Sequence, residues 1–247
     1  MALIAFTAIL LTLQAVPCKT EREHEKLIGT VKGLTIDTAK LTRNSGKLKE
    51  GRRDQDRTVV YDRQGNKTKE TIYTDSPTIT FISCRYDAQG NRTDSVVVDN
   101  ETGSRITRQG GRTGDDRSTS VTAHIFACDA DGSRIEEKVT RIGRALIGGG
   151  LVQINRHSYD AKRNRISTTS LSDGIVTYRW TFTNDKSGNP VKMTKYTRDN
   201  YPLVTESYVY EFDAVGNWIK RYSFKEKGST ELEREPLQVT YRKIDYF

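Results

Sequence analysis

The chain predicts an all-β fold of antiparallel β-hairpin repeats that form an extended, twisted or coiled meander sheet, and three observations predict it. The first is a six-residue block, Tyr86-Asp87-Ala88-Gln89-Gly90-Asn91, which recurs along most of the 247 residues. Its other copies begin at Tyr61, Cys128, Tyr159, Asn184 and Phe212. The second is the character of the flanking stretches. Segments such as Val176 to Phe182, Ser207 to Phe212 and Trp218 to Phe224 alternate large and polar residues and are rich in aromatic and β-branched types, as half-buried strands are. The third is spacing: the block aspartates are separated by 25, 42, 31, 25 and 28 positions. Twenty-five residues hold two strands of ordinary length, the block, and one return turn at the opposite edge.

Each block reads as a hairpin tip. Asp62, Asp87, Asp129, Asp160, Asp185 and Asp213 open the turn, with a carboxylate able to accept backbone N–H groups two or more residues on. Gly65, Gly90, Gly132, Gly188 and Gly216 close it in the left-handed region, and Asn66, Asn91, Asn164, Asn189 and Asn217 lead into the next strand. In the fourth copy Arg163 stands where glycine is expected, so a positive φ must be forced on a side chain and that hairpin is expected to be the weakest. Return turns are expected at Asp75-Ser76-Pro77, Ser172-Asp173-Gly174 and Asp199 to Pro202, and insertions at Asp99 to Arg117 and around Gly148-Gly149-Gly150.

Taken in order, residues 1–18 carry no charged side chain and then give way to Lys19-Thr20-Glu21-Arg22-Glu23, the pattern of an export signal too short to span a bilayer as a helix. Cys18 is also a candidate lipid-attachment residue, although Pro17 departs from the usual small residue before such a cysteine. Residues 19–57 are highly charged and read as a tether with one or two lead-in strands, or as disorder. The repeats fill 58–247 as a single domain. With 34% hydrophobic residues, the chain suits a repeat sheet with a shallow core better than one deep core.

If Cys18 is removed or lipidated, Cys84 and Cys128 remain, an even number able to bridge in an oxidising compartment; two separate buried thiols are the competing reading. The net charge of +8 points to acidic partners, namely anionic envelope surfaces, acidic glycans or nucleic acid, yet no run of Lys or Arg exceeds Arg52-Arg53. No metal spacing joins His24, His124 and His157, and Asp129-Ala130-Asp131-Gly132 lacks the ligands of a full calcium loop, so no metal, cofactor or catalytic constellation is expected. Trp180 and Trp218 lie in the aromatic C-terminal half and are the candidates for stacking a sugar, against the alternative that they pack between repeats.

The blocks resemble the YD repeats of the Rhs and YD-repeat family, whose pattern is Tyr-Asp-x-x-Gly-Asn followed by a short strand. The copies at Tyr61, Tyr86 and Phe212 match closely and three are degenerate, and the resemblance covers Thr58 to Phe224. It implies an exported or cell-surface β-sheet protein, often carbohydrate-associated, of which this chain would be a small stand-alone form without a toxin domain. The leading expectation is therefore an exported, non-enzymatic binding or scaffolding module of the envelope, with envelope glycans or another surface protein as partners. A fragment or accessory protein of an Rhs-type toxin system and, should the first residues not direct export, a basic nucleic-acid-binding protein are the alternatives.

Overall fold

The computed structural model describes residues 18–74, 78–87, 92–100, 118–143, 151–227 and 233–247. The expected signal, Gly90 and Asn91 of the second block, and most of both expected insertions lie outside them. The described chain is all-β apart from one turn of helix, α1 (Glu21–His24). Its strands are β1 (Val31–Asn44), β2 (Lys47–Tyr61), β3 (Lys67–Tyr73), β4 (Thr78–Tyr86), β5 (Arg92–Asn100), β6 (Ser118–Cys128) and β7 (Arg134–Gly143). They continue with β8 (Leu151–Tyr159), β9 (Arg165–Ser172), β10 (Ile175–Asn184), β11 (Pro190–Thr197), β12 (Pro202–Phe212), β13 (Trp218–Glu226) and β14 (Arg234–Tyr246).

Each strand pairs antiparallel with its neighbours in sequence, and β1 pairs with both β2 and β14, so the meander closes into a fourteen-stranded barrel. Of residues 19–57, read as a tether with one or two lead-in strands, β1 and most of β2 are such strands, and they belong to the barrel: they supply the seam, which removes the sheet edges that an open meander would leave unpaired. A local device favours closure. At five tips the ladder register shifts by one residue just outside the turn, at Tyr61, Cys128, Tyr159, Asn184 and Phe212. A bulge repeated along the same edge adds twist and bend at each hairpin and curls the sheet in one sense.

The described tips have the expected chemistry. Gly65, Gly132, Gly188 and Gly216 have φ of 95°, 73°, 83° and 98°, and Arg163 is held at 65°. One Asp oxygen accepts the backbone N–H four residues on, as in Asn66 to Asp62 (2.9 Å) and Asn217 to Asp213 (2.9 Å). The return turn at Asp173 and Gly174 has both residues at positive φ, 49° and 81°, the two-residue form that matches strand twist.

The aromatic residue of the block stitches consecutive hairpins together. The Tyr86 hydroxyl donates to the Lys67 carbonyl (3.0 Å) and that of Tyr159 to the Arg134 carbonyl (2.7 Å), in each case the first strand residue after the preceding tip. Where the block has Asn184, its Nδ2 donates to the equivalent Arg165 carbonyl (3.0 Å); where it has Phe212, Tyr210 reaches the Pro190 carbonyl (2.7 Å) from two residues earlier. Tyr159→Phe removes one such bond and leaves a half-buried carbonyl without it. The expected cost is about 1 kcal/mol, or a melting temperature lower by about 2–4 °C in a thermal melt.

Two apolar clusters flank the seam. Leu27, Val31, Leu34, Ile36, Val59 and Tyr61 pack on the lumen side, where the N-terminal segment enters. Ala39, Leu41, Val239, Tyr241 and Phe224, of the opposite strand parity in β1 and β14, form the other cluster. There the Tyr241 hydroxyl donates to Glu50 and Lys220 lies 2.7 Å from the same carboxylate, tying the far part of β2 to the barrel wall. Elsewhere, among the described residues, the exposed wall mixes Ile125, Ile135 and Ile166 with Lys138, Arg156, Lys192 and Lys225 rather than presenting an unbroken apolar band. Among the described residues, no helix is long and apolar enough to cross a membrane.

Candidate functional site

Fourteen strands enclose more space than their own side chains fill. Residues 18–30 occupy part of it as a strap that crosses the tip end of the barrel. The strap begins with a disulfide from Cys18 to Cys128, which joins residues 110 apart in sequence with Cα atoms 5.6 Å apart. Thr20 then caps α1: the Glu23 N–H donates to Thr20 Oγ1 (3.4 Å) while Glu23 Oε2 accepts from the Thr20 N–H (2.8 Å), a capping box. The tips themselves hold the remainder of the strap. The Arg22 N–H donates to the Gly65 carbonyl (3.0 Å), and Lys26 Nζ donates to Asn164 Oδ1 (2.9 Å) and the Gly188 carbonyl (2.6 Å). Asn217 accepts from the Ile28 N–H (2.7 Å) and donates to the Ile28 carbonyl (3.0 Å).

The block asparagines therefore do more than lead out of a turn. Asn66, Asn164 and Asn189 return a side-chain hydrogen bond to their own Asp, and Asn164 and Asn217 also grip the strap. Gly188 is required on two counts: its φ is positive, and a Cβ there would stand 2.0 Å from Asn164 Oδ1 and 2.4 Å from Lys26 Nζ.

The strap carries two carboxylates to arginines of the wall. Glu21 pairs with Arg134 (3.0 Å) and with Arg92, all three side chains being almost buried; Glu25 pairs with Arg242 (2.7 Å). Burial would raise the Glu21 carboxyl, but Arg134 and Arg92 together hold it below the usual range. Beside this triad His124 sits between two carboxylates, with Nε2 3.0 Å from Asp94 and Nδ1 2.8 Å from Glu137. Burial alone would lower His124, yet the hydrogen bonds to Asp94 and Glu137 outweigh it and keep the imidazolium favoured, while Glu137 falls to about 2.

Under the strap lies a cavity of about 480 Å³, within the range of small-ligand sites. Nine Lys and Arg residues line it against four Glu, with Tyr159, Tyr210 and Trp218. The excess is real after pairing: Lys26, Arg165 and Arg221 have no carboxylate within 4 Å among the described residues. Two further lining histidines, His24 and His157, are each lowered to about 4, first by burial and then by Arg134 for His24 and by Arg165 for His157.

These histidines make a pH prediction. A group whose folded pKa is depressed stabilises the protein above its unfolded pKa of about 6.5, and that contribution is lost as pH falls toward 4. Urea unfolding should therefore show a loss of a few kcal/mol between these limits, before the carboxylates titrate, and His157→Gln should flatten the profile. His124 runs the other way: its folded pKa is raised, so its contribution is complete in acid and is lost as pH rises through that value.

Of the residues singled out in the sequence, the structure brings Trp218 to the cavity but not Trp180. One face of Trp218 is covered by the Arg242 guanidinium, 3.6 Å from the ring centroid, and Trp180 packs with Tyr178 and Lys195. The cysteine pairing differs from expectation. Cys128 bonds Cys18, not Cys84, because the strap returns the chain start to the tip of the third block; Cys84 is a buried free thiol that burial and then Asp94 push up to about 12. A Cys18 held in that bond is not a lipid-attachment residue. Sequence reading missed Glu21, Glu25, Arg92, Arg134 and Arg242, which lie far apart in the chain. The Thr20…Glu23 spacing was the one local signal of an ordered strap.

No family model and no curated protein matches the chain. Solved structures do. A porin-like protein from Bacteroides uniformis ATCC 8492 is 9% identical over 87% of this chain and 98% of its own, with a TM-score of 0.45. A structure of TcdB2-TccC3-Cdc42 is 13% identical over 83% of this chain and 13% of its own, with a TM-score of 0.23. An outer membrane lipoprotein-sorting protein domain from Vibrio parahaemolyticus is 10% identical over 90% of this chain and 88% of its own, with a TM-score of 0.24. Likenesses this distant assign no role to any residue here.

Proposed function

We propose that this chain is an exported, non-enzymatic binding module of YD-repeat type that holds its ligand inside the barrel rather than on the sheet face. The observation that carries the reading is the disulfide-anchored strap over a cationic, aromatic-lined cavity. A bond between Cys18 and Cys128 suits an oxidising compartment, and the uncharged run before Cys18 has the composition of an export signal. The lumen supplies cations and ring faces, which suit acidic glycans among the partners that composition leaves open. Of its histidines, His24 and His157 are neutral, His157 lying 3.0 Å from the Thr168 hydroxyl, and His124 is held between Asp94 and Glu137.

Fractionation of the native host tests the reading. Recovery of the mature chain from the envelope, the periplasm or the medium is the expected result. Recovery of the full-length chain from the cytosol, with its cysteines reduced, would overturn it.

A further inference from the structure

The cavity contains a cationic corner, Arg221 and Arg242, of which the strap neutralises only Arg242. Arg221 of β13 stands opposite Tyr210 of β12 and Thr240 of β14 in the ladders, so the three side chains form a row across adjacent strands. Arg242 lies two residues beyond Thr240, with 7% of its side chain exposed, and uses Nη2 for Glu25. The Nε atoms of Arg221 and Arg242 and Oγ1 of Thr240 are buried and have no hydrogen-bond partner. Buried guanidinium donors without acceptors are costly, and an oxyanion bound here would satisfy them. The two arginines are near enough that Arg221 disfavours the charge on Arg242 after burial does, and an anion between them relieves both effects. Lys26 and Arg165, exposed residues of the cavity lining with no carboxylate within 4 Å among the described residues, add positive charge that attracts an anion.

Resting on the reading of the lumen as a binding site, we propose that this corner is an oxyanion subsite for a sugar acid or a sugar phosphate, its anionic group on Arg221 and Arg242 and its ring beside Tyr210 and Trp218. Arg221 is the determinant: Arg242 already has a carboxylate, whereas Arg221 has an unpartnered Nε and no carboxylate within 4 Å among the described residues. Its planar fork suits a two-oxygen group, and a lysine would offer only a point charge.

The test is calorimetric titration of the disulfide-intact protein at low ionic strength with D-glucuronate, glucose 6-phosphate and glucose. At least one of the two anionic sugars is expected to bind at millimolar concentration or below, and glucose is not. The anion preferred tells a carboxylate source from a phosphate one. Arg221→Met, with an unchanged thermal melt, is expected to weaken binding roughly 10- to 100-fold, and Arg221→Lys to fall in between. Equal binding of glucose, no binding of either anion, or wild-type affinity in Arg221→Met overturns the subsite. If an anion binds and Arg221→Met leaves its affinity unchanged, the lumen remains a binding site and only this corner is lost. Export is decided separately by fractionation.

Discussion

Glu21→Gln is expected to destabilise the protein by about 3–5 kcal/mol in denaturant unfolding, the largest effect of any single neutralisation. Glu21 is 13% exposed and faces Arg92 and Arg134, which are 7% and 10% exposed. Removing its charge leaves both guanidiniums inside the barrel. Arg92 keeps Asp94, 2.9 Å away, but Arg134 has no other carboxylate within 4 Å among the described residues and rests on the Phe126 ring and the Lys19 carbonyl. The penalty comes from stranded charge rather than from lost attraction, so Glu21→Gln with Arg134→Met should recover much of it. Additive losses in the double variant would contradict this account of the triad.

Replacing both Cys18 and Cys128 by serine is the second large effect. The bond closes a loop across 110 residues, and constraint of the unfolded chain over a loop of that size is worth roughly 3–5 kcal/mol. The loss is expected to appear locally first. Hydrogen exchange should rise at Thr20 to Ile28, where the strap hangs on a few hydrogen bonds to tips, before it rises in β1 and β14. Unchanged stability with a protected strap would show that the ion pairs of Glu21 and Glu25 hold it unaided.

The hairpins were legible in the sequence because their causes are local. Asp213 and Gly216 set a turn by their own backbone preferences, and Arg163 takes the positive φ that its place in the block demands. Closure was not legible: β1 meets β14 across almost the whole described chain, and nothing in Val31 to Asn44 names Arg234 to Tyr246 as its partner. The charged composition of residues 19–57 read as a tether because its acids and bases meet their partners only in three dimensions, as Glu25 meets Arg242 and Arg57 meets Glu70. Likewise Tyr159 and Asn164 were visible as block residues, but the carbonyl that one reaches and the lysine that the other holds belong to other segments.

A peptide map of the mature protein from its native host, digested without reduction, tests the central claim most directly. The account predicts one cross-linked species joining the peptide of Cys18 to that of Cys128, with Cys84 recovered as a free thiol. A Cys84–Cys128 link, a lipid on Cys18, or a fully reduced chain would contradict the strap and, with it, the lumen that the strap covers.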